Sequence, residues 1–96
     1  MSPLNKKKLT LIRNKLDILD NSLIKILKKR TYLVKKVLSL KENKSEIVDN
    51  VRIKRILKSI KNKSIKNKID PRITQRIWIN MINAYIDYEK RNFKKK

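Results

Sequence analysis

The chain has 96 residues, with 28 lysines and arginines against 8 aspartates and glutamates, and a formal charge of +20. It contains no cysteine, histidine or glycine, which excludes disulfides, thiolate metal sites, the commonest general base and glycine-rich phosphate loops. Lysine, isoleucine and asparagine, all with AT-rich codons, make up 46 residues, so much of the charge reflects composition, and nucleic acid is only an alternative partner.

The first predicted element is one long helix over residues 6–42. Its apolar residues recur at alternating spacings of three and four, which is the a/d seam of a coiled coil. The seam residues are Leu9, Ile12, Leu16, Leu19, Leu23, Ile26, Leu33, Val37 and Leu40. At about 1.5 Å per residue the helix is roughly 55 Å long, which is wider than a 96-residue globule. We therefore expect a partner along its length, most simply a second copy of the chain.

Two shorter helices are predicted after the long one. A polar turn comes first, at residues 43–45. Asp70-Pro71 is typical of an N-cap followed by the first helical position, so the third helix begins there. The remaining predicted bounds are 48–61 for the second helix, 62–68 for a polar linker, 71–93 for the third helix and 94–96 for a basic tail. The expected fold class is all-α, with three helices in a single domain over residues 1–96.

Three cations lie on or beside the apolar face of the long helix. Arg30 lies in the seam between Ile26 and Leu33, at a position where the heptad pattern predicts an aliphatic residue. It either extends into solvent and fixes the register, or its guanidinium binds a buried anion in bidentate fashion. Lys41 is about 16 Å further along the helix, and Arg13 is roughly 25 Å from Arg30 in the other direction. Taken singly, Lys41 and Arg13 are typical of solvated charges. Together, Arg30 and Lys41 can hold one small ligand, which Arg13 reaches only from the partner of an antiparallel dimer.

Two carboxylates also stand at informative positions. Asp49 lies three residues before Arg52 and is typical of an N-cap for the second helix. Glu89 lies one turn after Tyr85 on an otherwise apolar stripe of the third helix. A carboxyl group buried on such a stripe favours its protonated form and can donate a hydrogen bond. The alternative is a helix-end carboxylate that pairs with Lys90.

The sequence contains no membrane or secretion signal. No apolar run approaches the ~20 residues of a membrane-spanning helix, and the N-terminal segment lacks the apolar region of a signal peptide. The absence of cysteine fits a reducing compartment. We therefore expect a cytoplasmic protein.

The pattern resembles the all-helical AroQ-class (type II) chorismate mutases over about residues 9–90. The motifs that carry the resemblance are Leu11-Ile12-Arg13-Asn14-Lys15-Leu16-Asp17, Leu19-Asp20, Leu27-Lys28-Lys29-Arg30, Lys41, Asp49-Asn50-Val51-Arg52, Ile69-Asp70-Pro71 and Trp78 through Glu89. The resemblance implies a three-helix chain that dimerises through its first helix. It also implies the rearrangement of chorismate to prephenate in aromatic amino-acid biosynthesis, a reaction that needs no cofactor, metal or nucleophile.

The resemblance further implies a role for each site residue. Arg30 and the partner subunit's Arg13 would bind the two carboxylates of the substrate. Lys41 would bond a carboxylate and the ether oxygen. Arg52 would line the ring side with the backbone near Asp49, and a protonated Glu89 would donate to the ether oxygen.

Two positions depart from the family pattern. The family usually has glutamate directly after the arginine of the second helix, where it bonds the ring hydroxyl, but this chain has Ile53. On the last helix, Tyr85 replaces a small hydroxyl residue. Both departures resemble the isochorismate pyruvate lyase branch of the same fold, so salicylate formation from isochorismate is an alternative activity. A small basic nucleic-acid-binding dimer is the alternative from another class.

Overall fold

The computed structural model describes residues 1–94, and its regular secondary structure there is entirely helical. The main elements are α1 (Pro3–Leu40), a short 3-10 turn (Lys44–Glu46), α2 (Asn50–Lys66) and α3 (Pro71–Asn92). The prediction of an all-α fold with three helices is confirmed for these residues. None of these helices combines the length and the apolar character that crossing a membrane requires. Two residues of the predicted basic tail, Lys95 and Lys96, lie outside the described residues.

The chain divides into two compact units, Met1–Val34 and Lys35–Lys96. The first unit is the N-terminal part of α1, and its most prominent feature is the exposed apolar seam. The central seam residues are each more than half exposed in the single chain: Leu16, Leu19, Leu23 and Ile26. Apolar residues in a continuous exposed row mark an interaction surface rather than a solvated face.

The start of α1 lies earlier than the predicted residue 6. The Ser2 hydroxyl accepts the Asn5 N–H at 3.2 Å, and the Ser2 carbonyl oxygen accepts the Lys6 N–H at 2.9 Å. Proline at the first helical position costs no hydrogen bond there and presets the backbone angle, so the helix begins at Pro3. The C-terminal end of α1 is Leu40, two residues before the predicted end at residue 42.

In the second unit, α2 packs against α3 around a buried pair of hydroxyl groups. The Ser64 and Thr74 oxygens lie 2.6 Å apart, and both residues are buried. Ser64 can also donate its one hydroxyl proton to the Ile60 carbonyl oxygen at 2.6 Å. Thr74 can likewise donate to the Pro71 carbonyl oxygen at 3.3 Å, so either hydroxyl can be the donor of the bond between them. Nearby, Gln75 Nε2 donates to the Leu57 carbonyl oxygen at 2.9 Å, so polar bonds fix the register of the two helices.

The end of α2 differs from the prediction of a linker over 62–68, because the helix continues to Lys66. It is closed by a Schellman motif, in which the Ile69 N–H bonds the Ser64 carbonyl oxygen at 2.9 Å and the Lys68 N–H bonds the Ile65 carbonyl oxygen at 3.1 Å. This motif needs a residue with left-handed backbone angles, and Lys68 supplies it with φ 57°. In a chain without glycine, the usual sequence signal for this ending is missing.

Candidate active site

The centre of the candidate site is an ion pair between Lys41 and Glu89. Lys41 Nζ donates to Glu89 Oε1 at 3.0 Å, and the two side chains are only 16% and 7% exposed. Lys41 is the first residue after α1, where its N–H bonds the Leu38 carbonyl oxygen at 3.1 Å. Glu89 lies in the last turn of α3. Two residues that are 48 positions apart in the chain are thus brought together, and Glu89 pairs with Lys41 rather than with Lys90.

The loop that carries Lys41 is held at two points. The Glu46 carboxylate accepts the Glu42 N–H at 3.3 Å and the Asn43 Nδ2 at 3.5 Å. The next residue, Ile47, is buried. A loop with a buried apolar anchor and internal hydrogen bonds keeps fewer conformations, so the backbone of Lys41 is positioned before any ligand binds.

Beside this loop, Asp49 performs the capping role predicted for it. Its Oδ1 accepts the Arg52 N–H at 3.0 Å, and α2 begins at the next residue, Asn50. Lys41, Glu46, Asp49 and Asn50 line an open depression of about 470 Å³ together with Val48 and Val51. The structure therefore places Lys41 and Asp49 on one concave surface.

The other predicted residues of this unit lie on α2 and α3. Arg52 is exposed in the first turn of α2, and the half-buried Ile53 follows it. Tyr85 is half-buried one turn before Glu89 on α3. In the first unit, Arg30 is half-buried on α1 and Arg13 is exposed.

One charged residue of the lining was not predicted from the sequence. Glu46 borders the same depression as Lys41, but an isolated acid in a polar loop carries no sequence signal of such a position. Among residues 1–94, no group of three or more carboxylates converges as a metal site.

A larger open cavity of about 910 Å³ lies between the second half of α2 and the start of α3. It is lined by Leu57, Lys58, Lys61, Pro71, Arg72, Gln75 and Arg76. None of the predicted site residues borders it, and its walls contain no carboxyl group. The smaller depression is bordered by the predicted residues Lys41 and Asp49, and Lys41 is paired there with the buried Glu89, so it is the stronger candidate.

Chemically, the Lys41–Glu89 site combines a fixed cation with a carboxyl group away from bulk water. Such groups interact strongly with charge that develops on a bound molecule, because little solvent screens them. The site can therefore bind an anionic oxygen at Lys41 and, when Glu89 is protonated, donate a second hydrogen bond to the same region.

Comparison with known proteins gives a family assignment. A sequence model described as chorismate mutase type II matches residues 12–90, which is 79 of the 96 residues. No curated protein and no solved structure matches the chain. The matched range includes every predicted site residue, from Arg13 to Glu89, and the resemblance to type II chorismate mutases is confirmed. The chain belongs to the chorismate mutase type II family, and its function is that of a chorismate mutase, an isomerase acting on chorismate.

Proposed function

We propose that the chain converts chorismate to prephenate in a site whose reacting end is formed by Lys41 and Glu89. The observation that carries this proposal is their buried ion pair at 3.0 Å. The family resemblance implies that both residues form hydrogen bonds to the ether oxygen of the substrate. The reaction is a unimolecular rearrangement, so the protein has only to hold the substrate and stabilise its transition state.

The chemistry of the proposed step is electrostatic. Chorismate is a dianion that must adopt a compact conformation so that its two ends meet. As the carbon–oxygen bond breaks, negative charge develops on the ether oxygen. A preorganised ammonium group at Lys41 and a protonated carboxyl group at Glu89 would both stabilise that charge, and such donors are most effective where water is excluded.

The remaining roles are proposed from the family resemblance. Arg30 and the partner subunit's Arg13 bind the two substrate carboxylates, because a planar guanidinium matches a carboxylate with two parallel hydrogen bonds. Arg30 is half-buried within the apolar seam, which supports a role in substrate binding rather than in solubility. Arg52 and the backbone near Asp49 line the ring side, and Tyr85 lies one turn from Glu89 on the same helix face.

A homodimer of the intertwined type is part of this proposal, with each copy forming one domain over residues 1–96. The exposed seam of α1 supports it, because four seam residues are more than half exposed in the single chain. A second copy presents the same apolar row and can cover it. Sedimentation would test this: Leu19→Glu should give monomers, whereas Ile18→Glu, next to it but off the seam, should leave the dimer intact. A wild-type monomer at micromolar concentration would contradict the proposal.

The catalytic assignment is tested by a matched pair of lysine variants. Lys41→Met removes the ammonium group at the proposed reacting end and should lower kcat for chorismate by about 100- to 1,000-fold. Lys44→Met removes an exposed charge from the same loop and should leave kcat within about twofold, since exposed charges contribute little. Disappearance of chorismate and appearance of prephenate would be followed directly. Full activity in Lys41→Met would exclude its proposed role.

A second activity, isochorismate pyruvate lyase, is favoured by one observation. Ile53 is apolar and half-buried directly after Arg52, where most family members carry a glutamate for the ring hydroxyl. Loss of that contact would relax discrimination between chorismate and isochorismate. Incubation with isochorismate should then release salicylate and pyruvate, and Ile53→Glu should reduce that product relative to prephenate. No salicylate from the wild type would leave the mutase as the sole activity of the two.

We also propose a cytoplasmic location, supported by the absence of cysteine, which fits a reducing compartment. Fractionation of cells that express the full chain would test it.

A further inference from the structure

We propose that the larger cavity, between the second half of α2 and the start of α3, binds a small anion that carries two or more phosphate groups. The proposed function does not use this cavity, because none of the predicted site residues borders it. The inference is therefore independent of the rearrangement of chorismate, and each can fail without the other.

The walls of the cavity are cationic on both sides. Lys58 and Lys61 come from α2, and Arg72 and Arg76 come from α3. The other described lining residues carry no charge, so no acid balances these four cations within the lining. A concave surface with charges of one sign concentrates the electric field and attracts ions of the opposite sign.

The four cations lie where they repel one another. Residues three or four apart are neighbours on a helix surface, so Lys58 lies beside Lys61, and Arg72 lies beside Arg76. Among residues 1–94, the ion pairs involve other side chains. Like charges at this spacing destabilise a helix slightly. The cluster therefore does not contribute to folding, and a bound anion with several charges would offset its repulsion.

Hydrogen bonds between the two helices hold the walls of the cavity in place. Gln75, which lines the cavity, donates from Nε2 to the Leu57 carbonyl oxygen at 2.9 Å. The buried Ser64 and Thr74 hydroxyl oxygens lie 2.6 Å apart. Because both contacts join α2 to α3, the cations are positioned before a ligand binds. The cavity volume of about 910 Å³ is within the range of small-molecule sites.

The types of side chain favour phosphate groups as the ligand. A guanidinium binds two phosphate oxygens in bidentate fashion, and an ammonium group binds phosphate as a compact point charge. A single carboxylate would leave most of the four positive charges unmatched, whereas two or three linked phosphate groups match them. The N-terminus of α3 is already capped, because Asp70 Oδ1 accepts the Arg72 N–H at 2.9 Å. The affinity therefore depends on the four cationic side chains.

Neither a further copy of the chain nor the substrate of the proposed reaction explains this cavity. Each copy carries a charge of +20, so a copy placed against a cationic wall would be repelled. Arg76 and Glu89 are 13 residues apart on α3, which is roughly 20 Å along the helix axis. A substrate held at Glu89 therefore leaves the larger cavity free for a separate anion.

The direct test is calorimetric titration of the full-length protein with ATP, tripolyphosphate and adenosine, without added metal, in about 0.15 M salt. We expect saturable binding of ATP with one molecule per chain, and no binding of adenosine. Equal affinity for tripolyphosphate would assign the binding to the phosphate groups alone, whereas tighter binding of ATP would add a contact of its organic part with Leu57 and Pro71. Either result supports the proposal. The absence of saturable binding of both phosphate compounds at millimolar concentration would overturn it.

A matched pair of double variants locates the binding. Lys58→Gln/Arg76→Gln removes one cation from each wall and should weaken ATP binding by at least about tenfold. Lys63→Gln/Lys66→Gln removes two exposed cations of α2 outside the lining and should stay within about twofold of the wild type. Both variants lower the net charge by two, so equal losses would show a diffuse attraction to a basic protein and would overturn the assignment. A loss in Lys58→Gln/Arg76→Gln that affects a single-stranded oligonucleotide but not ATP would identify nucleic acid as the occupant and would also overturn it.

Two further measurements separate this cavity from the proposed active site. Lys41→Met should bind ATP as the wild type does, because Lys41 borders the other depression. Loss of ATP binding in that variant would overturn this inference, while its loss of chorismate turnover would leave the proposed function intact. In the wild type, ATP should protect Lys58 and Lys61 from acetylation but not Lys63. Unchanged acetylation of Lys58 and Lys61 at saturating ATP would overturn the inference without the use of any variant.

Discussion

Lys68→Gly is expected to stabilise the protein, and the reason lies in the ending of α2. Lys68 holds φ at 57°, in the left-handed region that costs a residue with a Cβ roughly 1–2 kcal/mol. Glycine adopts this region without that cost. Glycine also gains more freedom in the unfolded chain, which offsets about 0.5–1 kcal/mol of the benefit. The Schellman bonds of Lys68 and Ile69 involve only the backbone, so they remain in the variant.

The balance of these two effects gives a net gain of up to about 1.5 kcal/mol. For a chain of this size, about 1 kcal/mol corresponds to a rise in Tm of roughly 4–8 °C. Thermal and urea unfolding at one fixed protein concentration would measure it, because the stability of a dimer depends on concentration.

The matched control for this prediction is Lys61→Gly. Lys61 is exposed in the interior of α2, where the same chemical change should cost about 1 kcal/mol. Opposite signs for the two variants would support the assignment of a left-handed Lys68. A Tm that falls in Lys68→Gly as it does in Lys61→Gly would refute the reasoning.

Three further predictions concern the helix contacts and the charge of the site. Thr74→Val keeps the shape of the side chain but removes the hydroxyl group that bonds Ser64, and should lower the free energy of unfolding by about 1 kcal/mol in urea titrations. Asp49→Ala removes the cap on the Arg52 N–H, and should cost about 1 kcal/mol of stability in the same assay, with a raised KM for chorismate. Added salt should raise KM with little change in kcat, because screening weakens the attraction of a dianion to a protein of charge +20. A KM that stays constant from low to high ionic strength would contradict this last expectation.

The helices could be predicted largely from the sequence because their signals are local. The seam of α1 depends only on the spacing of apolar residues, and Asp70-Pro71 marks the start of α3, where the Asp70 Oδ1 accepts the Arg72 N–H at 2.9 Å. The predicted end of α2 was wrong because residues 62–68 have the composition of a linker. The tertiary bond between Ser64 and Thr74 favours the helix there, and composition does not reveal it.

The sequence predicted individual candidate residues of the site but not how they are arranged in space. A charged residue that interrupts an apolar pattern, such as Glu89, indicates a functional role for that position. It does not indicate the partner: the sequence left pairing with the adjacent Lys90 open and did not predict the pairing with Lys41. The choice depends on how the loop after α1 meets the end of α3, a contact between residues 48 positions apart. Such long-range contacts are set by packing and not by local spacing.

The placement of Lys41 and Glu89 at helix ends explains how so basic a chain can form a specific site. Lys41 follows the C-terminal end of α1, where partial negative charge stabilises a cation. Glu89 lies near the C-terminal end of α3, where the same effect opposes an anion. The two ends together bring an ammonium group and a carboxyl group within 3.0 Å of each other. Most of the 28 cations contribute to solubility and net charge. The electrostatics of the proposed reaction depend instead on the positions at which α1 and α3 end.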